Sequence, residues 1–394
     1  MHPATLENHA LKAIELRHRL HRIPELCFEE VETAKTIRAE LDGLGIPHID
    51  GVTDAPTATI VTLGDPTQPC VALRADIDGL PIVEQTGLPY ASIHRGKMHA
   101  CGHDGHAATL VGVAAALKSM VAELQVCVKL IWQPAEEAGG GAQRLVKAGV
   151  LDGRIGPKPI AIFGLHGWPG LPVGVVATKP GVLLAATDAF TATFTGKGCH
   201  GAFPHMGIDP IVPACEAVLN IQQFVSRDLD PTEPAVVTIG ILKAGTATNI
   251  IPDEAIISGT ARTLSDSARK LVRASLLRRC SGIAAAGGCT AKLEWIDGYP
   301  ATINDPAMTD YVAKIARETL GPDRFIPVGR PCMGGEDFAY YLQKIPGCFF
   351  LIGVEPPNAP GSCAPLHCDR YNFSDAAVGF GMRMFLALVQ NFRV

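Results

Sequence analysis

One thiol, three imidazoles and a carboxylate lie within nine residues of this chain, in the segment MHACGHDGH at residues 98–106. Thiolate and imidazole groups are the ligands that zinc and other transition metals prefer, so the segment is a candidate metal site. Cys101 and His103 stand two residues apart, a spacing that points both side chains to the same side of an extended segment. We therefore predict a loop that leaves a strand, followed by a buried, alanine-rich helix from Gly105 to Met120. The alternative for this segment alone is a polar turn whose histidines bind no metal.

The composition excludes several classes of function. The chain has 394 residues, which predicts two domains. Its formal net charge is -5 and it contains no block of lysine and arginine, so we expect a small-molecule substrate and neither a nucleic-acid nor a membrane partner. The longest apolar run, at residues 107–117, is shorter than the roughly 20 residues that span a bilayer, and the N-terminal residues form no apolar signal segment. The 12 cysteines are too sparse for a disulfide scaffold, so we expect free thiols and a cytoplasmic protein.

Polar side chains follow three predicted strands, soon after the last apolar residue of each. The strands and the residues that follow them are 70–75 with Asp76 and Asp78, 125–132 with Glu136 and Glu137, and 160–165 with His166. Helical segments separate these strands, which is typical of a parallel or mixed α/β sheet. Ligands of such sheets bind beyond the carboxyl ends of the strands, so we expect these residues and the segment 98–106 to face one crevice.

From residue 188 the periodicity predicts the order β-α-β-β-α-β. The predicted elements are strands at 188–196, 235–243, 255–263 and 290–296, with helices at 209–226 and 267–286. This is the order of the ferredoxin-like fold, which can be inserted into another domain. The sequence thus predicts an α/β protein with a discontinuous mixed-sheet α/β/α domain and an inserted ferredoxin-like βαββαβ domain. The first covers residues 1–185 and 301–394, and the second covers residues 186–300.

A mixed set of ligand types emerges when these segments are combined. The candidate metal ligands are Cys101, His103, one of the pair Glu136 and Glu137, His166 and His367. Thiolate, imidazole and carboxylate together suit zinc, manganese, cobalt or nickel better than calcium or magnesium. Five ligands exceed the four of a closed structural site, which favours a two-metal centre with an open position for water. Adjacent side chains on an irregular segment point different ways, so one glutamate can bind metal while the other acts as general base.

Some of these residues have other interpretations. His166 is equally consistent with a histidine held by structural hydrogen bonds. His367 lies near Cys363 and Cys368, which could form a separate site. The glutamate pair could be a solvated acidic turn.

Nine segments resemble a known family in the same order over nearly the whole chain. They are HRIPELCFEE, LRADIDGLPI, MHACGHDGHAA, QPAEEAGGGA, GLHGWPGLPVG, GKGCHGAFPH, TNIIPDEA, MGGEDFAYYLQKIPG and LHCDRYNF. They resemble the M20 metallopeptidase family. Within it, they are similar to the amidohydrolase branch that includes hippurate hydrolases, aminoacylases, indole-acetyl-amino-acid hydrolases and N-acetyldiaminopimelate deacetylases.

The resemblance implies a role for each site residue. The implied ligands of two divalent metal ions are Cys101, His103, Glu137, His166 and His367. Glu136 is implied as the general base, and Asp78 as the carboxylate that orients a ligand. His200 matches the histidine that steadies the oxyanion, often supplied by the lid of a partner subunit. Asn249 and Arg262 resemble residues that hold the substrate's carboxylate.

The chain also departs from the family pattern. Cys199 stands where the motif usually has glycine, and Cys368-Asp369 replaces the usual Ser-Pro. The structural alternative for His200 is a capping or buried histidine, and for Arg262 a surface arginine. Neither departure removes an implied ligand, but both could alter the closure of the lid or the shape of the pocket.

We expect a metal-dependent amidohydrolase that cleaves N-acyl amino acids of the hippurate or N-acetyl type into a free amino acid and a carboxylic acid. The alternative is a metallo-carboxypeptidase or dipeptidase with the same binuclear site, because a peptide is also an N-acylated amino acid. A protein that only binds amino acids or metal is disfavoured, since it would not need a second glutamate beside the ligand. The resemblance also implies that the mixed-sheet α/β/α domain is a metallohydrolase domain and that the inserted domain is a lid or dimerisation domain. It further implies a homodimer or a higher homo-oligomer.

Overall fold

The computed structural model describes residues 3–356 and 361–393, and none of its helices in those ranges is long and apolar enough to cross a membrane. The helices are α1 (Pro3–His21), α2 (Val31–Gly43), α3 (His103–Ser119), α4 (Gly141–Ala148), α5 (Ile211–Ile221), α6 (Phe224–Arg227), α7 (Asp266–Ala286), α8 (Pro306–Leu320), α9 (Ala339–Leu342) and α10 (Asp375–Asn391). The strands are β1 (His48–Val52), β2 (Ala55–Leu63), β3 (Cys70–Asp76), β4 (Cys127–Gln133), β5 (Pro159–Pro172), β6 (Val176–Thr178), β7 (Gly181–Leu184), β8 (Ala186–Thr195), β9 (Cys199–His200), β10 (Ala235–Ala244), β11 (Ile250–Ile251), β12 (Glu254–Thr263), β13 (Thr290–Asp297), β14 (Thr302–Asn304), β15 (Phe325–Pro327) and β16 (Gly347–Glu355).

The chain divides into two compact units. The first unit contains Met1–Leu183, Ile303–Arg330 and Asp337–Val394, and the second contains Leu184–Thr302 and Pro331–Glu336. The short segment Pro331–Glu336 is grouped with the second unit, whereas the predicted first domain included it.

A mixed eight-stranded sheet forms the centre of the first unit, in the order β1-β2-β4-β3-β5-β16-β6-β15. β3 is parallel to both of its neighbours, β4 and β5, and β5 is parallel to β16, so the carboxyl ends of these four strands lie at one edge of the sheet. β2 pairs antiparallel with β1 and β4. Every residue of β3 and β4 is buried, which is typical of a sheet covered on both faces. The predicted α/β class with a mixed sheet is confirmed.

Strand β5 is longer than predicted and contains His166 rather than ending before it. Beyond Gly164, where its pairing with β3 ends, β5 continues to pair with β16, and His166 lies opposite Leu351. The strand persists because β16 supplies hydrogen-bond partners that the local sequence does not reveal.

Helix α3 is buried along almost its whole length and packs against α1, α2 and α10. It begins at His103 and not at Gly105, because Gly102 adopts the left-handed conformation (φ 86°, ψ 13°) and turns the chain into the helix. Cys101 and His103 therefore do not lie on one extended segment, and that prediction was wrong. The thiol precedes the helix, while the imidazole projects from its first turn.

The second unit is built on a four-stranded antiparallel sheet in the order β10-β12-β8-β13. Its main strands and helices α5 and α7 follow the predicted order β-α-β-β-α-β, with the first and third strands at the centre of the sheet. Phe190, Ala192 and Phe194 alternate along β8 and are buried in one core with residues of α5 and α7. The predicted helix 209–226 is divided into α5 and α6, and the short pair β9 and β11 lies outside the main sheet.

Two glycines of α10 provide a test of the helix packing in the first unit. A Cβ atom at Gly381 would lie 2.9 Å from Thr109 Cγ2 and 3.2 Å from Leu165 Cδ2, whereas at Gly379 its nearest neighbour is Ala10 Cβ at 3.8 Å. We expect Gly381→Ala to lower the free energy of unfolding by about 1–3 kcal/mol through overpacking. Gly379→Ala should raise it by about 0.5–1 kcal/mol, because alanine favours the helix. Urea unfolding of the two variants checks this, and the same sign of change in both would contradict the packing.

Candidate metal centre

Side chains that are distant in the sequence converge in the first unit. Several groups of three residues each have ligand atoms within 4.8 Å of one another, and the groups share members. They are Cys101, His103 and His166; Asp76, His103 and His106; Cys101, Glu137 and His367; and His103, Glu136 and Glu137. The structure therefore brings all the predicted ligands and the predicted general base into one cluster. Parallel strands account for much of this convergence, because β3 and β4 deliver their following residues to the same edge of the sheet.

Cys101 and His166 are in direct contact, with the thiol sulfur 3.3 Å from His166 Nε2. The Nδ1–H group of His166 donates to the carbonyl oxygen of Gly167 at 2.8 Å, so Nε2 is the unprotonated nitrogen that faces the Cys101 thiol. Burial, followed by the neighbouring His106, holds the pKa of His166 well below its ordinary value. His166 is therefore a neutral imidazole, which is the form that binds metal ions. Its structural hydrogen bond and its place in the cluster are compatible.

His103 is oriented by a carboxylate on one side and faces the cluster on the other. Its Nδ1 atom lies 3.1 Å from Asp78 Oδ1, and its Nε2 atom lies 3.8 Å from Asp76 Oδ2 and 3.9 Å from Glu137 Oε1. The buried Nε2 atom has no hydrogen-bond partner within residues 3–356 and 361–393. Burial opposes protonation of His103, but Asp76, Asp78 and Glu137 raise its pKa to about 10. A positive charge, either a proton or a metal ion, is thus favoured at this imidazole.

The chemistry of the thiol leads to the same conclusion. Burial raises the pKa of Cys101 well above its ordinary value, and the nearby carboxylates of Glu137, Glu136 and Asp76 raise it further. A thiolate at this position therefore requires a cation beside it. Together with the unpartnered Nε2 atom of His103, this donor set fits a divalent transition metal.

The adjacent glutamates have different surroundings. The backbone N–H of Glu137 donates to Asp78 Oδ2 at 3.0 Å, and its side-chain Oε1 lies 3.2 Å from His367 Nε2. Glu136 is 5% exposed, and its Oε1 accepts a hydrogen bond from the backbone N–H of Asp337 at 3.3 Å. The pair is not a solvated acidic turn, so that alternative is excluded.

His367 belongs to this cluster and not to a separate cysteine site. The Glu137 carboxylate, 3.2 Å from Nε2 of this exposed side chain, raises the pKa of His367, and the backbone N–H of His367 donates to the carbonyl oxygen of Ala100 at 2.8 Å. Its φ of 61° places it in the left-handed region, a strained conformation for a histidine. Cys363 and Cys368 form no metal-ligand group with it in the part of the chain that the structure describes.

The other predicted site residues lie in the second unit. His200 lies on β9, where it is exposed and its Nδ1 accepts the backbone N–H of Ala202 at 3.0 Å. The carbonyl oxygen of Asn249 accepts the N–H of Gly201 at 2.7 Å, so His200 and Asn249 are neighbours. Arg262 lies on β12, is partly buried, and has a pKa that burial lowers.

A buried chain of polar groups behind His166 was not assigned from the sequence. Asp76 Oδ1 accepts from His106 Nδ1 at 2.6 Å, and His106 Nε2 accepts the N–H of Gly167 at 2.8 Å. Arg74 forms ion pairs with Asp76 at 2.6 Å and with Asp337 at 2.9 Å. The available signals were the carboxylate of Asp76, the last residue of β3, and the third imidazole of the segment 98–106.

A second buried network contacts Asp104 in the first turn of α3. Asp104 accepts from Arg17 Nε at 2.9 Å and lies 2.9 Å from His21 Nδ1. His21 also lies 3.2 Å from Glu84. Burial opposes protonation of His21, but Asp104 and Glu84 raise its pKa to about 9.

A cluster of thiol, imidazole and carboxylate groups at the carboxyl edge of a mixed α/β sheet is the kind of site that metal-dependent hydrolases use. The sequence model of Peptidase family M20/M25/M40 matches residues 72–391, and the chain belongs to this family. The resemblance noted from the motifs is therefore confirmed, and with it the assignment as a hydrolase of amide C–N bonds.

Curated relatives and solved structures agree with this assignment. The chain is 40% identical over 358 residues to an N-acetyl-L-cysteine deacetylase of Bacillus subtilis (strain 168). The matched residues make up 90% of this chain and 83% of the relative. It is 37% identical to an N-acetyldiaminopimelate deacetylase of Geobacillus sp. (strain WCH70), over 95% of this chain and 96% of the relative. The crystal structure of the YXEP protein of Bacillus subtilis, a dinuclear metal-binding peptidase of the M20 family, superposes with a TM-score of 0.83 and 37% identity, covering 97% of this chain and 98% of that one.

The network around His21 predicts a pH dependence of stability. Its pKa is about 9 in the folded protein and about 6.5 when unfolded, so its ionic contribution is fully present below pH 6.5 and is lost as the pH rises through 9. Between pH 6 and 10 the free energy of unfolding should therefore fall further for the wild type than for His21→Gln, by up to about 3 kcal/mol. Unfolding both proteins in the same chelating buffer removes the contribution of metal affinity. Parallel stability curves would show that His21 is not protonated.

Proposed function

We propose that this protein hydrolyses the amide bond of N-acyl amino acids and releases the free amino acid and the carboxylic acid. The observation that carries the proposal is the glutamate pair. Glu137 lies with Cys101 and His367 in one ligand group, while Glu136 is buried beside it. Relatives named as deacetylases of N-acetylated amino acids support the substrate class.

The metal centre is part of this proposal. The residues that would hold two divalent ions are Cys101, His103, Glu137, His166 and His367. Zinc, manganese, cobalt and nickel all suit this ligand set. When bound, such ions polarise the amide carbonyl and acidify a water molecule. Asp78 would fix the tautomer and orientation of His103 through their hydrogen bond.

Glu136 would act as the general base. It would accept a proton from the attacking water and deliver it to the nitrogen of the departing amine. Its burial keeps bulk water from competing for the carboxylate, and the N–H of Asp337 holds one of its oxygens at 3.3 Å.

The residues of the second unit would bind the substrate. Arg262 has no hydrogen bond or ion pair to another side chain in the described residues, so its guanidinium is available for a carboxylate. Asn249 would add an amide contact. His200 would stabilise the oxyanion, and the family resemblance favours its supply by a partner subunit of a homodimer. We also propose a cytoplasmic location, because the 12 cysteines are free thiols.

The reaction is tested by a screen combined with two site variants. Metal-reconstituted wild type should hydrolyse N-acetyl and N-benzoyl amino acids faster than dipeptides. Glu136→Gln should lower turnover by about 10² to 10⁴ and keep the wild-type metal content, because it removes the base and no ligand. Cys101→Ala should lose metal, whereas the matched control Cys363→Ala should keep it. Metal analysis and product assays measure both effects.

Two outcomes would overturn this assignment. Faster hydrolysis of dipeptides than of acyl amino acids would establish the carboxypeptidase or dipeptidase alternative. Loss of metal from Glu136→Gln to the same extent as from Cys101→Ala would show that the roles within the glutamate pair are wrongly divided.

The role of Arg262 predicts a dependence on the substrate's carboxylate. Arginine presents a planar fork that matches a carboxylate, and lysine presents a single point charge. Arg262→Lys should therefore raise KM for an N-acyl amino acid by about tenfold, the equivalent of one charge-assisted hydrogen bond, and leave the corresponding amide substrate nearly unchanged. Arg273→Lys, at an exposed arginine of α7, is the control. Equal losses on the acid and the amide would exclude Arg262 from carboxylate binding.

A further inference from the structure

Glu30 is a fully buried carboxylate without an ion-pair partner in the described residues. Its Oε2 accepts the hydroxyl of Thr57 at 2.8 Å, and its Oε1 accepts the backbone N–H of Ala135 at 2.8 Å. Burial, and then repulsion from Asp78, raises its pKa to about 7. Burying a carboxylate is unfavourable unless its oxygens are hydrogen-bonded, and both oxygens of Glu30 accept a hydrogen bond.

One of these hydrogen bonds reaches a strained turn. Ala135 is buried and has a φ of 57°, in the left-handed region that side chains other than glycine rarely adopt. It lies between Pro134, which has no N–H to donate, and Glu136. The hydrogen bond to Glu30 therefore holds the turn at the residue that directly precedes the proposed general base.

The turn is held on both sides of Glu136. On the other side, the N–H of Glu137 donates to Asp78 Oδ2 at 3.0 Å. Two carboxylates from distant segments thus hold the amides that flank Glu136, while the N–H of Asp337 contacts its side chain. Glu30 lies outside residues 72–391, the part of the chain that the family sequence model matches.

We propose that Glu30 is a positioning residue for Glu136, and that it acts through the amide of Ala135. The inference rests on the proposed function, in which Glu136 is the general base. Without the acceptor on Glu30 the turn at Ala135 relaxes, and the carboxylate of Glu136 leaves the position from which it transfers the proton. The metal ligands are held by other contacts, so the loss should appear in kcat and not in metal content.

Three variants separate positioning from a general structural effect. Glu30→Ala removes the acceptor and should lower kcat by about 10- to 100-fold, with KM changed by less than about threefold. Glu30→Gln should stay within about fivefold of the wild-type kcat, because its carbonyl oxygen can still accept the N–H of Ala135 while Thr57 reverses its hydroxyl. Thr57→Val removes the hydroxyl that donates to Glu30, leaves the contact with Ala135, and should keep kcat within about twofold. Metal content should equal that of the wild type in all three.

A double variant decides whether Glu30 acts through Glu136. Once Glu136→Gln has removed the base, adding Glu30→Ala should lower kcat by less than about twofold more, because residues that act as a unit are not additive. A further loss equal to that of the single Glu30→Ala variant would overturn the proposal, as would equal losses in Glu30→Ala and Glu30→Gln. If Glu30→Ala keeps the wild-type kcat while Glu136→Gln is inactive, the role proposed for Glu30 is wrong and the proposed function is unaffected. Wild-type turnover in Glu136→Gln would overturn the proposed function as well.

Discussion

The constraint on which the first unit depends is the burial of several carboxylates at one edge of its sheet. Glu30, Asp76, Asp78, Glu136 and Asp337 are all at most 5% exposed. Arg74 pairs with two of them, and backbone N–H groups and imidazoles contact the others. Negative charge in a buried site is stable only beside donors and cations, so the cluster favours either metal ions or a protonated His103. The same charges raise the pKa of the Cys101 thiol, which makes ionisation of the thiol depend on a cation.

Asp78 connects the parts of this site. Its Oδ1 faces His103, and its Oδ2 accepts both the N–H of Glu137 and the thiol of Cys27. One carboxylate thus orients a candidate ligand, fixes the backbone of another, and joins them to the loop before α2. Hydrogen bonds that fix the orientation of a ligand usually matter nearly as much as the ligand itself. The geometry of the proposed centre therefore depends on residues that need not touch a metal.

Strained backbone occurs at the points where the site is assembled. Ala135 and His367 both have positive φ, and each N–H donates to a segment far away in the sequence. Such conformations persist only when surrounding contacts determine them. In this chain, Glu30 and Ala100 supply these contacts. The stability of the first unit and the geometry of its proposed chemistry thus rest on the same hydrogen bonds.

The sequence by itself determined the α/β class with its mixed sheet, and it predicted the order β-α-β-β-α-β of the second unit and the candidate ligands that the structure brings together. Periodicity and residue type are local properties, and the parallel-sheet rule extended them to a shared crevice. Only the tertiary structure decided that β5 continues through His166, that α3 begins at His103, and that Glu30 and His106 support the cluster. These features depend on a neighbouring strand, on the conformation of Gly102, and on partners that are distant in the chain. No local pattern records such partners, because a hydrogen bond between remote segments leaves no periodic signal in either of them.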